Sequence, residues 1–387
     1  MNFSLFHFSL FHFSFFIFHL KKAFLLISYG SPQCRGEVVP FLKNLLQGRP
    51  VSSVVLEKAA TQYEELAHYT GEFSPLSREC RLLLERLKRR NLLQVPLYWG
   101  NLFWHPLLTD TLAEMSKQGV QRVAAFITSP FDSEISRNRY INSIENARRK
   151  IKIHLLPAFG NHPLYYRAVA DQIITAGSVS NRLQSPQNRS LMLPAATFQD
   201  VTGTRILFTA HSLPLSDRGA ERYVSQLSEA ASGIVRLMQI PVPWELVFQS
   251  RSGKPSDPWL EPDILARIRQ LTEERDRTGR PLSLLIVPVG FLLENKETVY
   301  DLDLQAVSLC EELRIPVVRV ATAGSSPSVL EMIEQTMGYH FVPGFLEASR
   351  LSGELVIDKC PQTFHWENVS GAALGFGRGG DGENPGW

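Results

Sequence analysis

In the stretch ILFTAHSLP, His211 stands where an apolar run gives way to a loop. An imidazole titrates near neutral pH, so at such a place it can bind a metal or accept a proton. A strand-end histidine that only hydrogen-bonds to the backbone fits the same position. A second group follows the apolar run in VPVGFLLENKETVYDLD, where Glu294, Glu297, Asp301 and Asp303 come close together. A helix beginning near Glu294 would set Glu297 and Asp301 at i, i+4 on one face. Such a row can hand on a hard cation or shuttle protons. An acidic first helical turn, favoured by the helix dipole, needs no function at all. Tyr29, in SYGSP, offers a phenol that could cover a hydrophobic ligand, hydrogen-bond to it, or ligate a metal as phenolate. It could equally fill a strand end while Gly30 and Pro32 shape the turn. YWGNLFWHP groups Tyr98, Trp99, Phe103, Trp104 and His105, which suits either the wall of a flat aromatic ligand or an aromatic core.

The elements that must hold these residues are short buried runs ending in Gly, Pro or polar residues: AFLLISYGSP, LQVPLYWG, RVAAFITSP, KIHLLPAFG, TRILFTAHSLP, WELVFQSRSG, LSLLIVPVGFL and IPVVRVATAG. Runs of this kind read as parallel strands buried on both faces. Between them lie stretches of helical period, among them 107–118, 220–238 and 262–275. Alternation of this kind predicts an open α/β fold in two halves of about four strands each, every sheet covered by helices. Ligands then bind beyond the carboxyl ends of the strands, where His211, Glu297 and Tyr29 fall. The expected division is 23–160 and 161–365. Residues 176–203 read as a loop or insertion, and Gly-rich 366–387 as a disordered tail.

The 387 residues suit two domains, and a net charge of +2 without a basic block excludes a nucleic-acid partner from the expectation. Cys34, Cys80, Cys310 and Cys360 stand far apart, which fits a reducing, cytoplasmic setting and gives no zinc or iron–sulfur spacing. The opening MNFSLFHFSLFHFSFFIFHLKK repeats FSLFH and lacks both the charged start and the cleavage site of a secretory signal. Its histidines and serines make a poor span. Residues 1–22 are expected to lie outside the fold, with peripheral membrane contact as the most they contribute. Removing residues 2–20 is expected to leave activity and solubility intact.

The stretches LLISYGSP, EVVPFLKNLLQGR, GEFSPLS, YWGNLFWHPLLTDTLAEMSKQGVQRVAAFITSPF, FTAHSLP, YVSQL, SRSGKPSDPWLEPDI and VPVGFLLENKETVYDLDLQA occur in one order over about residues 23–320. Together they resemble the ferrochelatases, and within them the bacterial coproporphyrin III ferrochelatases. The resemblance implies two Rossmann-like (chelatase-type) halves with a porphyrin cleft between them and insertion of Fe²⁺, as substrate, with no organic cofactor and no iron–sulfur cluster. It implies that His211 and Glu297 are catalytic and metal-binding, facing each other across the cleft on opposite faces of the ring. Tyr29, Ser74 and Tyr140 match porphyrin-contacting positions, and Asp301 and Asp303 would extend a path for metal or protons. Partners are then porphyrin and ferrous iron, with transient contact to neighbouring haem-pathway enzymes.

The chain departs from the family pattern at Gly71–Glu72, Asp132, Glu134 and Gln305. The last of these weakens the outer end of the acidic row. Protoporphyrin IX as substrate, a non-catalytic porphyrin or haem carrier, and a cobaltochelatase are the competing readings. Retention of both His211 and Glu297 opposes the carrier. A carboxylate where the cobalt enzymes place a second histidine favours iron.

Overall fold

The structure is a computed structural model that describes residues 21–46, 53–90, 94–148, 150–179, 203–251 and 257–341. Two parallel four-stranded sheets organise these residues. The first contains β1 (Lys22–Ser28), β2 (Leu97–Asn101), β3 (Arg122–Ile127) and β4 (Lys152–Leu155), in the order β2-β1-β3-β4. The second contains β5 (Thr204–His211), β6 (Trp244–Gln249), β7 (Ser283–Val287) and β8 (Val317–Arg319), in the order β6-β5-β7-β8. Helices α1 (Arg35–Leu46), α2 (Ser53–Thr70), α3 (Leu76–Arg90), α4 (Leu108–Lys117), α5 (Glu134–Ala147) and α6 (Pro163–Val179) accompany the first sheet in the chain. After β5 come α7 (Ala220–Met238), α8 (Ile264–Thr278), a π-helix (Thr298–Val307), α9 (Ser308–Glu312) and α10 (Pro327–Phe341).

Side chains alternate across a strand, so each central strand serves two cores. Phe24 and Leu26 of β1 join one cluster, while Ala23, Leu25 and Ile27 join the layer beneath α4 and α5. In β5, Ile206, Phe208 and Ala210 enter that first cluster and Leu207 faces α8 and the π-helix. The shared cluster also takes in Leu83 of α3, Ala168 and Ile173 of α6, Leu227 and Ile234 of α7, and Met332 and Ile333 of α10. One continuous core therefore joins the two sheets and fixes the strand ends of one against those of the other. Truncating Phe208, fully buried at its centre, would cost about 3–5 kcal/mol.

The predicted helix 220–238 matches α7 at both ends, and 107–118 and 262–275 match α4 and α8 to within three residues. Two boundaries differ from expectation. Lys21 and Lys22 belong to the fold: Lys22 pairs with Arg122 in the sheet, and the Lys21 carbonyl accepts from Gln121 N at 2.9 Å. Residues 176–179, expected in a loop, continue α6. Residues 1–20, 180–202 and the Gly-rich 366–387 lie outside the described residues. Among the described residues no helix is long and apolar enough to cross a membrane.

Candidate active site

In a sheet ordered 2-1-3-4 the chain turns from one side of its first strand to the other, and a crevice opens between the carboxyl ends of the first and third strands. For the second sheet those are β5, which ends in His211, and β7, whose following loop leads to Glu297. The loop lies directly on β5. Gly290 N donates to Thr209 O at 3.0 Å, and a Cβ on Gly290 would fall 2.6 Å from Ala210 Cβ. Only glycine permits that approach. Asn295 then starts the next helix, its Oδ1 accepting from Glu297 N at 2.8 Å and Thr298 N at 3.0 Å.

These constraints place His211 Nε2 3.5 Å from Glu297 Oε1, with both side chains about one-third exposed, 34% and 36%. His211 Nδ1 lies 2.5 Å from the Ser212 carbonyl, which can only accept, so Nδ1 carries the hydrogen. With that hydrogen given to Ser212, His211 presents Nε2 toward Glu297. Tyr223 Oη donates to the His211 carbonyl at 3.2 Å and steadies the strand end. The expectation that imidazole and carboxylate occupy opposite faces of a ring is overturned here. Both come from neighbouring strand ends of one sheet, and 3.5 Å leaves no room for a porphyrin between them. Both stand on one side of the crevice.

The acidic row also differs from an α-helical face. Residues 298–307 form a π-helix, whose i→i+5 bonding leaves four residues just short of a turn. Asp301 stays on the Glu297 side, where the Ser250 hydroxyl donates to its carboxylate. Burial lifts Asp301 to about 6, with Ser250 and Lys296 pulling the other way. Asp303, two residues on, faces elsewhere: Arg319 Nε lies 3.0 Å from its Oδ1. Burial likewise raises Asp303 to about 6 against the pull of Arg319. Glu294 is engaged by Arg319 as well. Burial would raise it, but the guanidinium and the donors Thr322 N and Thr298 Oγ1 hold it at about 2. Asp303 and Glu294 line a cavity of ≈ 360 Å³ with Tyr69, Glu72 and Arg78. That cavity does not include His211 or Glu297.

Tyr29 follows β1, at the corresponding place of the first sheet. Gly30 (φ +85°) turns the chain there, and its α-carbon lies so close to Trp104 N that a Cβ would approach to 2.9 Å. The Tyr29 ring meets Phe103 edge-on at 4.6 Å, within a cluster that includes Phe41, Tyr63 and Trp104. Arg139 Nη1 donates to its hydroxyl at 3.3 Å. Burial pushes the Tyr29 phenol up to about 12, Arg139 opposes this, and the charge of Glu297 adds to it. Tyr29 is thus a neutral phenol within electrostatic reach of Glu297. Tyr140, buried on α5, lies near enough to Tyr29 and Arg139 for the three to influence one another. Ser74 is buried at the start of α3, where its Oγ accepts from Leu76 N at 3.5 Å. The structure thus gathers His211, Glu297, Asp301 and Tyr29, sets Tyr140 behind Tyr29, and gives Ser74 a local capping role.

The aromatic group divides by strand face. Phe103 and Trp104 back Tyr29, Trp99 enters the shared core, and Tyr98 turns outward to Gln118. Four site residues escaped sequence reasoning: Arg139, Gln249, Ser250 and Arg319. Gln249 and Ser250 lie at a strand end in FQSRSG, a signal of the same kind as TAHS. Arg139 and Arg319 carry no local signal, being mid-helix and strand residues brought in by tertiary packing. Among the described residues no three His, Cys, Asp or Glu side chains group around a metal position.

The family model for ferrochelatase matches residues 21–340. The chain belongs to the ferrochelatase family. Ferrochelatases are metal chelatases of porphyrin and haem biosynthesis, acting on a porphyrin and ferrous iron as substrates. This ferrochelatase is 34% identical over 319 residues to the ferrochelatase of Rhodopirellula baltica, covering 80% of this chain and 84% of that one. It is also 34% identical over 329 residues to the coproporphyrin III ferrochelatase of Frankia alni, covering 81% and 78% respectively. Among solved structures, SirB from Bacillus subtilis with Fe³⁺ aligns with a TM-score of 0.45 at 14% identity, over 87% of this chain and all of that one. The ferrochelatase fold is two parallel sheets covered by helices, as expected from the alternation of strands and helices.

Proposed function

We propose that this ferrochelatase inserts Fe²⁺ into coproporphyrin III, held between two halves that divide near residue 160. His211 and Glu297 take up the pyrrole protons on one face, and Tyr29 covers the other. The observation that carries this reading is the 3.5 Å pair of His211 Nε2 and Glu297 Oε1 on the second sheet, with Tyr29 at the matching strand end of the first. Metallation must remove two N–H protons and exchange the hydration shell of Fe²⁺ for four nitrogens. A ring bent out of plane turns its lone pairs toward the metal, so a cleft favouring the bent ring lowers the barrier.

The imidazole accepts a proton at Nε2, because its Nδ1 hydrogen is committed to Ser212. The adjacent Glu297 carboxylate then stabilises the imidazolium. Asp301, lifted to about 6 by burial, is poised to receive protons near neutral pH. The same pair could bracket one Fe²⁺, since two donors each ~2.1 Å from a metal stand ~3–4 Å apart. The tether on Nδ1 serves either step, and the carboxylate partner favours proton uptake.

Arg139, Arg218 and Lys296 lie around the junction of the halves and suit four propionates better than two. The name of the Frankia alni relative supports the same substrate. Cys34, Cys80 and Cys310 are free thiols, and the proposed location is the cytoplasm. No resident cofactor enters this scheme, and contact with other enzymes of the pathway would be transient. The test is anaerobic Fe²⁺ insertion followed by absorbance with coproporphyrin III and protoporphyrin IX in parallel. A kcat/KM at least ~tenfold higher for coproporphyrin III is expected. Equal or reversed values would overturn the substrate, and binding of both rings without turnover would overturn the catalytic reading.

A further inference from the structure

β6 lies beside β5, and its last residue, Gln249, pairs with His211 across the sheet. Ser212 N donates to Gln249 O at 2.8 Å, so the two strand ends are fastened by backbone. The Gln249 side chain is 1% exposed, and its Nε2 donates to the Glu297 carbonyl at 3.2 Å. That carbonyl can only accept, which fixes the orientation of the amide. Among the described residues, the buried Gln249 Oε1 has no hydrogen-bond partner, an arrangement that native cores ordinarily avoid. Hydrophobic residues of similar size would fill the same space without that cost. Ser250 follows with φ +63°, a left-handed backbone that disfavours any side chain other than those of Gly, Asn and Asp. Its hydroxyl donates to Asp301 Oδ2.

Two adjacent residues therefore carry local costs, one an unpartnered buried amide oxygen and the other a strained backbone. Each directs its donor at the segment that bears Glu297 and Asp301. Strain and unsatisfied polar groups gather where a site over-determines its surroundings. We propose that Gln249 and Ser250 are positioning residues for metallation. Gln249 holds the Glu297 main chain beside His211, and Ser250 holds the Asp301 carboxylate on the same side. Both act through other groups, and neither need touch the porphyrin or the metal. The Ser250 hydroxyl also opposes the upward pull of burial on Asp301, which keeps that carboxylate available.

The inference rests on His211 and Glu297 as the reacting pair, a reading tested separately by wild-type turnover and its loss in His211→Ala. Ser250 itself is best examined through three forms of the full chain. Ser250→Gly suits the backbone but removes the donor. Ser250→Asn suits the backbone and keeps one. Kinetics are measured with coproporphyrin III and Fe²⁺, and thermal unfolding is measured alongside. Ser250→Gly should unfold at or above the wild-type temperature and yet lose roughly tenfold or more in kcat, the scale of a hydrogen bond to a charged group. The porphyrin KM should stay within about twofold. Ser250→Asn should recover most of the loss, and Gln249→Met should repeat the fall in kcat at unchanged KM. Wild-type kcat in Ser250→Gly, or equal losses in the Gly and Asn forms, would overturn the role of Ser250. Wild-type kcat in Gln249→Met would overturn that of Gln249.

Discussion

Arg319 holds Glu294 through two parallel hydrogen bonds, Nη1 to Oε1 at 2.7 Å and Nη2 to Oε2 at 2.5 Å. The same guanidinium reaches Asp303 and the Thr298 carbonyl. One side chain from β8 thus ties the residues before the π-helix to its first turns. A π-helix is a rare form, and this clamp is a physical reason for its persistence here.

Replacing Arg319 by Met keeps the stem but leaves Glu294 and Asp303 buried without their cation. Removing one partner of such a pair costs about 3–5 kcal/mol. Chemical denaturation should show a loss of that order, and kcat should fall with it as Glu297 and Asp301 lose their register. Full stability in Arg319→Met would show that the clamp is not what holds the segment.

Gly290→Ala tests the approach of the loop that leads to Glu297 onto β5. The added methyl would meet Ala210 Cβ at 2.6 Å and Ala210 Cα at 2.8 Å, and neither belongs to a flexible side chain that can swing away. The loop must lift, at a cost of about 1–3 kcal/mol. Because the loop carries Glu297, turnover should fall further than stability does. Comparison of kcat with the unfolding midpoint checks this.

His211→Ala should lose at least ~10²-fold in turnover, the lower range for a general base, while porphyrin affinity measured by fluorescence quenching stays within a few-fold. Tyr29→Phe should behave differently. Burial keeps that phenol neutral up to about 12, so no phenolate is lost, and turnover should change by less than ~tenfold. A Tyr29→Phe variant as inactive as His211→Ala would require a direct chemical role for the hydroxyl.

Asp301→Asn should be more stable than the parent at neutral pH and less active. The folded pKa of about 6 stands above the ordinary 3.8. A carboxyl raised on folding contributes stability that is fully present below about 3.8 and is lost as pH rises through about 6. The variant should therefore lack that part of the decline between about pH 4 and 6, gaining up to about 3 kcal/mol at pH 7. Glu294, held at about 2, works in the opposite sense at more acid pH and is common to both forms. Unfolding temperatures across pH 4–7 would reveal the difference, and identical profiles would show that Asp301 is not buried as a charge.

Strands and amphipathic helices were legible because buried runs and helical period are properties of contiguous residues. That His211 and Glu297 each follow an apolar run was legible for the same reason. Their relation was not. Whether two strand ends share a side of the cleft depends on strand order, which no local pattern records. The π-helix was hidden as well, since TVYDLDLQAV has an ordinary helical composition and is held by Arg319 from another strand. Asp303 was placed in one row with Asp301, yet a residue two positions further along a helix faces away, and Asp303 lines a different cavity.

The two sheets repeat one strand order, and Tyr29 and His211 follow or end the same strand in each. A pair of identical half-chains joined in this way would offer one ligand the same group from both sides. A single chain is free of that constraint. It can hold a phenol against one face of a flat molecule and an imidazole against the other. Direction across the plane of the ligand is thereby written into the covalent order of the two halves.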